Sequence, residues 1–500
     1  MDQLDRPREA CGVAGMWSLK GSGVEVARNL FFALYALQHR GQEAAGICTW
    51  DGKRLHVKKG QGLVSQVFRE KRIKKLKGRS GIAHNRYSTT GGNDLANVQP
   101  FYLNTNDGTI AVAHNGNLTN ARTLRRALEV GWTSTSDTEV IAQALARPLD
   151  DEERAGAPDW PGRLERLLRE AQGAYSIVVQ TPEGIYALRD PHGFRPLCLG
   201  VLKEEGRPQA WIAASESCAL SPIGAEMVRE VLPGEIVRLD DEGITTVRAP
   251  QPGLFEQTAL CIFEYVYFAR PDSRVDGQSV HVTRQRMGWR LAEEAKVEGD
   301  DVVVIGVPDS SLVSAMAYAA RAELPYTEGL IKNRYIGRTF IEPSQAMRQN
   351  KVRLKFNAVR DNLEGKRVVL VDDSIVRGTT MEQLITLVRE QGGAREVHVR
   401  VAAPPIKHPC FMGVDLASHG ELIAHEHDED EIAAVVGADS LVYLSLEGLH
   451  AAVDEGAATA GGHCNACFSG KYPVDVRACL ADEDQKHSLA GRALRIAEAV

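Results

Sequence analysis

Between Lys366 and Thr380 the chain reads KRVVLVDDSIVRGTT, and this stretch restricts the possible fold more than any other. VVLV (368–371) is apolar at every position, not alternating, so as a strand it is buried on both faces. A helical stretch, MEQLITLVRE, follows the polar turn. DVVVIGVPDSSLVSAMAYAA (301–320) repeats the form, and EVHVRVAAPP (396–405) supplies another strand. Apolar strands alternating with amphipathic helices require a parallel sheet covered by helices on both sides. The turn has its own chemistry. A loop between the carboxyl end of a parallel strand and a helix N-terminus is a natural anion site, because unpaired N–H groups and the helix dipole favour phosphate. Gly378 permits close backbone approach, and the hydroxyls of Thr379 and Thr380 can donate to phosphate oxygens. Phosphate does not explain Asp372 and Asp373. Two carboxylates beside a phosphate suit hydroxyls and a hard cation such as Mg²⁺. The competing reading is an acidic turn followed by a helix cap, a place Asp and Thr fill well.

Residues 11–248 have a different pattern. AGICTW, HVKKG, GIAHNRYST, TIAVAHNGN, YSIVVQ, GIYALRD, QAWIAAS and GEIVRLD read as strands, several bounded by Gly, Asp or Asn turns. NLFFALYALQHR (29–40) and LTNARTLRRALE (118–129) have helical periodicity. This is a strand-rich α+β domain. APQPGLFEQ (249–257) is the linker, residues 258–455 form the α/β domain, and residues 456–500 read as an appendage ending in a helix, KHSLAGRALRIAEA. A chain of 500 residues is expected to divide in this way. The basic run REKRIKKLKGR (69–79) reads as a solvated face.

Composition excludes some classes. The net charge of −7 argues against a nucleic-acid binder. No apolar run approaches the roughly 18 residues of a membrane span. Nine cysteines in 500 residues are not a secreted disulfide framework. The expectation is a cytoplasmic enzyme without nucleic-acid or membrane partners. MDQLDRPREA precedes Cys11 and lacks the apolar stretch of a secretory signal. These ten residues read as a tail or a removable leader.

The order of residues in DDSIVRGTT resembles the phosphoribosylpyrophosphate (PRPP) loop of type I phosphoribosyltransferases. Cys11 followed by Gly resembles the start of the glutamine amidotransferases whose catalytic residue is the mature N-terminus. QHRGQEAAGI (38–47), HNRYSTTG (84–91), AHNGNLTNA (113–121) and TSDTE (135–139) occur in that class in the same order. The resemblance implies an N-terminal nucleophile glutaminase domain, a four-layer αββα sandwich, at 11–248. It explains the leader as well. A thiol nucleophile needs a nearby base, and a free α-amino group, with a pKa of about 7.7–8.0, exchanges a proton near neutral pH. Removing residues 1–10 as a propeptide would put base and thiol on one residue. The resemblance further implies that Arg86 holds the glutamine α-carboxylate and Asp137 its α-ammonium. Asn115 and the Gly116 N–H would form the oxyanion hole.

Cys464 and Cys467 form a Cys-x-x-Cys in GGHCNACFSGKYP, and two remote cysteines, Cys261 and Cys410, could complete a four-thiolate site. Their chemistry admits zinc or an iron–sulfur cluster equally. Cys48, Cys198, Cys218 and Cys479 read as ordinary buried or partly buried thiols.

Glutaminase and PRPP motifs on one chain, with these cysteine flanks, resemble the glutamine PRPP amidotransferases. The match is to the branch with a propeptide and a [4Fe-4S] cluster. That resemblance implies transfer of glutamine amide nitrogen to PRPP, giving 5-phosphoribosylamine, glutamate and pyrophosphate, the first step of purine biosynthesis. Ammonia would need an internal passage between the sites. Asp372 and Asp373 would hold the ribose hydroxyls and Mg²⁺, joined at the metal by Ser310. Ser374, Ile375, Val376, Arg377, Gly378, Thr379 and Thr380 would hold the 5′-phosphate. Cys261, Cys410, Cys464 and Cys467 would ligate the cluster in a structural role. Residues 332–357, with seven Lys or Arg against one Glu, suit a lid over pyrophosphate. Purine nucleotides would act as feedback inhibitors of a homotetramer. A glucosamine phosphate synthase would share 11–248 but would not carry DDSIVRGTT. A non-catalytic nucleotide sensor would not need Cys11, and a redox protein would leave both motif sets unexplained.

Overall fold

The computed structural model describes residues 11–87, 94–150, 157–250, 258–333, 354–416, 418–458 and 462–480. The leader, most of the linker and of the basic 332–357 segment, and the C-terminal helix expected within 481–500 lie outside these residues.

The first part of the chain forms two antiparallel sheets. The first contains β1 (Gly12–Ser18), β2 (Ala44–Trp50), β3 (Leu55–Gln61) and β4 (Ser80–Arg86). The second contains β5 (Phe101–Thr105), β6 (Gly108–Leu118), β7 (Gly173–Gln180) and β8 (Ile185–Arg189). β9 (Cys198–Glu204), β10 (Arg207–Ala214) and β11 (Ala225–Glu230) complete the first sheet, in the order β11-β9-β10-β1-β4-β2-β3. β12 (Ile236–Asp240) and β13 (Gly243–Arg248) complete the second, in the order β13-β12-β8-β7-β6-β5.

Three apolar clusters explain why the sheets stack. Val13, Ile82, Ala113, Val178 and Ala187 fill the space between them. The outer face of the first sheet packs Ala14 and Ile47 against Leu30 and Leu34 of helix α1 (Val26–Ala36). The outer face of the second packs Tyr175 and Ile177 against α2 (Asp137–Ala146) and α3 (Trp160–Glu170) through Ile141, Leu145 and Leu164. The result is the expected helix–sheet–sheet–helix sandwich. Every residue of β1 is buried, as befits a central strand with both faces covered. At Gly15 the sheets approach so closely that a Cβ would stand 2.6 Å from Val178 Cγ1.

The second part holds a four-stranded sheet of β14 (Val302–Gly306), β15 (Arg367–Asp372), β16 (Glu396–Val401) and β17 (Ser440–Tyr443), adjacent in that order and all parallel. Val302, Val304, Val369 and Val371 face α4 (Val280–Glu294), α5 (Leu312–Ala322) and α8 (Leu446–Asp454). Val303, Ile305, Val368 and Leu370 face α6 (Thr379–Glu390) and α7 (Glu429–Val436). Both faces are dry, which is why these strands have no polar alternation.

Two local readings of the sequence change. The periodicity of 29–40 overshoots, since α1 ends at Ala36 and His39 and Arg40 leave it to reach the buried carboxylate of Glu216. The segment read as an appendage is partly built into the body. His463–Cys464 pairs in parallel with Leu260–Cys261, and Phe468 stacks on Phe263 with ring centroids 5.8 Å apart.

Candidate functional site

Cys11 immediately precedes β1 and is 8% exposed, and its Sγ donates to the Tyr87 carbonyl at 3.4 Å. Burial pushes the thiol above its ordinary pKa; the positive charge of Arg86 pulls it down, whereas Asp137 and Glu43 add to the rise. The antiparallel pairing of β1 with β4 sets Gly12 opposite Asn85, which carries Arg86 to the same end of the sheet. From the facing sheet, the His114 carbonyl accepts from His84 Nε2 at 3.1 Å, tying β6 to β4. Burial, reinforced by the Arg86 charge, drives the His84 pKa down to about 3.

Asp137 sits at the first turn of α2 and is buried. Burial opposes its charge, but His114 at 3.7 Å and the N–H groups of Leu118 and Thr138 hold its carboxyl below the usual range. Thus Cys11, Arg86 and Asp137 share one electrostatic neighbourhood. On β6, the Asn115 side chain is completely buried, yet neither its nitrogen nor its oxygen has a partner among the described residues. A buried amide without partners is costly to leave unmade. Gly116 beside it has φ +142°, and a Cβ there would lie 1.9 Å from the Ala174 carbonyl oxygen.

The second site lies at the carboxyl end of β15. Asp372, Asp373 and Ser374 are each 3% exposed. The Ser374 hydroxyl donates to Asp373 Oδ1 at 2.9 Å, and the Asp373 N–H to Asp372 Oδ1 at 2.9 Å. From the β14–α5 loop, Ser310 donates to Asp373, and Ser311 donates to Asp372 Oδ1 at 2.8 Å and Asp373 Oδ2 at 3.2 Å. Ser311 was not singled out by the sequence, although the doubled serine of VPDSS marks it. Gly378, at φ +83°, turns the loop into α6, whose first residues are Thr379 and Thr380. Arg377 pairs outward with Glu421 at 3.1 Å. Ile375 and Val376 point into the two cores rather than into the loop.

Cys261 and Cys464 are register partners in the short parallel pairing, and Cys467 lies within electrostatic reach of both and of Cys410. Burial pushes Cys261 up to about 11 and Cys464 and Cys467 higher still. Arg195 stands beside them, and its charge acts on Cys261 and Cys410.

Arg195 also joins a buried network that no sequence pattern announces. Glu264 accepts from Arg195 at 3.2 Å and from Arg40, while Glu216 accepts from Arg40, from His39 Nε2 at 2.7 Å and from Ser273 at 2.6 Å. All four charged side chains are buried. Although burial opposes it, Arg40 and His39 hold Glu216 well below the ordinary carboxylate range. His39, Glu216 and Cys218 cluster closely enough to suggest a metal, but Arg40 already provides the cation.

A glutamine amidotransferase domain matches residues 84–222, and a phosphoribosyl transferase domain matches residues 285–409. The chain is 46% identical over 482 residues to an amidophosphoribosyltransferase of Synechococcus elongatus, covering 95% of this chain and 94% of that one. The chain belongs to the amidophosphoribosyltransferase family. The human amidophosphoribosyltransferase is 45% identical over 514 residues, covering 94% of this chain and 98% of its own. A solved glutamine PRPP amidotransferase from B. subtilis, complexed with ADP and GMP, superposes with a TM-score of 0.82 at 44% identity, covering 93% of this chain and 98% of that one. A second solved structure, an allosteric regulatory enzyme of purine biosynthesis, gives 0.83 at 44% identity, covering 93% and 97%. As an amidophosphoribosyltransferase the chain is a transferase of the first step of purine biosynthesis, with its glutamine amidotransferase part preceding its phosphoribosyltransferase part. Among the described residues no helix is long and apolar enough to cross a membrane.

Proposed function

We propose that Cys11, freed as the mature N-terminus by loss of residues 1–10, attacks the glutamine amide held between Arg86 and Asp137. Its raised pKa makes a base necessary, and the new α-amino group is the nearest possible one. The thiol proton passes through that amine to the leaving nitrogen, ammonia departs, and water hydrolyses the thioester to glutamate. The Asn115 amide and Gly116 N–H meet the charge developing on the attacked carbonyl. The observation that carries this reading is the buried Asn115 amide, without a partner among the described residues, a preorganised donor that needs no reorganisation when the oxyanion forms.

Ammonia then displaces pyrophosphate at C1 of PRPP. Asp372 and Asp373 hold the ribose hydroxyls, and Ser374 through Thr380 hold the 5′-phosphate at the start of α6. Asp372, Asp373 and Ser310 offer the hard oxygen donors that Mg²⁺ takes, and a bound ion would offset the charge of the departing pyrophosphate. The residues fit that role, since Ser310 donates to Asp373 and the Asp373 N–H donates to Asp372, which sets the three side by side at the carboxyl end of β15.

Cys261, Cys410, Cys464 and Cys467 supply four thiolates, the donor set of a [4Fe-4S] cluster, and the resemblance of their flanks favours that group over zinc. Neither reaction moves electrons, so a cluster here would be structural. The domain limits 11–248 and 258–455, the linker 249–257, a cytoplasmic location, a homotetramer and inhibition by purine nucleotides complete the reading. The ADP and GMP in the B. subtilis complex support the last point. The test is to supply glutamine, PRPP and Mg²⁺ and follow glutamate and pyrophosphate together. Equal release is expected, and glutamate alone would point to another acceptor.

A further inference from the structure

The cysteine centre and the glutaminase site are joined by four residues, 410–413. The Met412 N–H donates to Cys410 Sγ at 3.3 Å, so the loop curls around that sulfur. The Met412 carbonyl accepts twice from Arg195, at 3.2 Å from Nε and 2.7 Å from Nη2. The Phe411 carbonyl accepts from Asn117 Nδ2 of β6 at 2.9 Å. Gly413, at φ +88°, lies backbone to backbone against Gly116, so that a Cβ added at Gly413 would stand 2.7 Å from the Gly116 carbonyl carbon and 2.9 Å from its Cα. Each contact is buried or partly buried, and together they leave the loop little freedom between the sulfur on one side and β6 on the other.

We propose that residues 410–413 are a strut that fixes the Gly116 backbone from the second domain, making Gly413 and Asn117 positioning residues for glutamine hydrolysis. The inference rests on the reading of Asn115 and Gly116 as the oxyanion hole. It gives the cysteine centre a consequence for that site without electron transfer. Displacing the Cys410 sulfur shifts Met412, and with it the glycine pressed against Gly116. An oxyanion donor acts through its position relative to the developing charge, so a displaced Gly116 lowers turnover more than substrate affinity, which Arg86 and Asp137 set.

The experiment compares Gly413→Ala, Asn117→Ala and Asn115→Ala in full-length, anaerobically prepared enzyme. Glutamine-dependent kcat and KM, ammonia-dependent synthesis, and iron and visible absorbance per chain are measured. Gly413→Ala is expected to lower glutamine kcat at least tenfold with KM within threefold. Ammonia-dependent synthesis and iron content should stay within twofold. Asn117→Ala should shift kcat in the same direction, by threefold or more, and decides the matter alone if Gly413→Ala does not fold. Unchanged glutamine kcat in the folded variants, or a parallel fall in ammonia-dependent synthesis, overturns the strut. If Asn115→Ala keeps full glutamine kcat, the oxyanion reading itself fails. If only Asn115→Ala is impaired, that reading stands and the strut alone is refuted.

Discussion

Replacing Asn115 by leucine should leave the protein at least as stable while making it far less active. The side chain is fully buried, and both its polar atoms lack partners among the described residues. An unsatisfied buried polar group costs about 1–3 kcal/mol, and an apolar side chain of similar shape removes that cost. Misfit of the branched leucine in a packed strand takes back part of the gain, about 1 kcal/mol or more. The net expectation is unchanged or higher stability. Activity moves the other way. Loss of one oxyanion donor costs about 10²–10³ in kcat, or roughly 2.7–4 kcal/mol of transition-state stabilisation. Thermal unfolding would be measured beside glutamine- and ammonia-dependent synthesis. The expected result is an equal or raised midpoint, glutamine turnover down at least a hundredfold, and ammonia-dependent synthesis intact. A clearly lowered midpoint with glutamine turnover within threefold of the parent would refute the reasoning, because the amide would then be a structural group.

Intact-mass analysis of active enzyme should show a chain beginning at Cys11, and full glutamine activity in a chain retaining residues 1–10 would remove the case for the free amine. Asp373→Ala should abolish both glutamine- and ammonia-dependent synthesis while glutamine hydrolysis persists; normal phosphoribosylamine formation would show that the loop is misassigned. Cys464→Ser should lose iron, colour and much soluble yield, since a metal site contributes directly to folding; one zinc and no iron in active, anaerobic protein would contradict the cluster. His84, held near 3 against about 6.5 when unfolded, contributes stability that is complete above pH 6.5 and is lost as pH falls toward 3, the loss reaching about 2 kcal/mol at pH 5. The stability lost between pH 7 and pH 5 should therefore shrink in His84→Gln, and an unchanged loss would mean that His84 is not the buried neutral base inferred.

Sheets and most helices were legible because each is written locally. VVLV and VVVIG have no polar alternation because both faces of β14 and β15 are covered, and Gly378 marks the turn into α6 by its positive φ. The adjacency of Asp372 and Asp373 was legible because it is local, whereas the bond from Ser311 was not, since its partner lies 61 residues away. The Arg40–Glu216–Glu264–Arg195 network was invisible for the same reason. Its members look like ordinary surface charges until the fold removes water from them. Ile375 and Val376 send their side chains into the cores, so within the loop only their backbone N–H groups are left to face a phosphate.

That network also bears on how such chains can be recombined. Arg40, Glu216 and Arg195 belong to the glutaminase half, and Glu264 belongs to the other. Cut at the linker, the first half loses the Glu264 carboxylate and uncovers both guanidiniums to water, and covering them again without a carboxylate would cost about 3–5 kcal/mol. The half is therefore not a transplantable cassette. Grafted onto a different synthase, it would need a carboxylate presented where Glu264 stands, or the second arginine replaced, before the graft could fold.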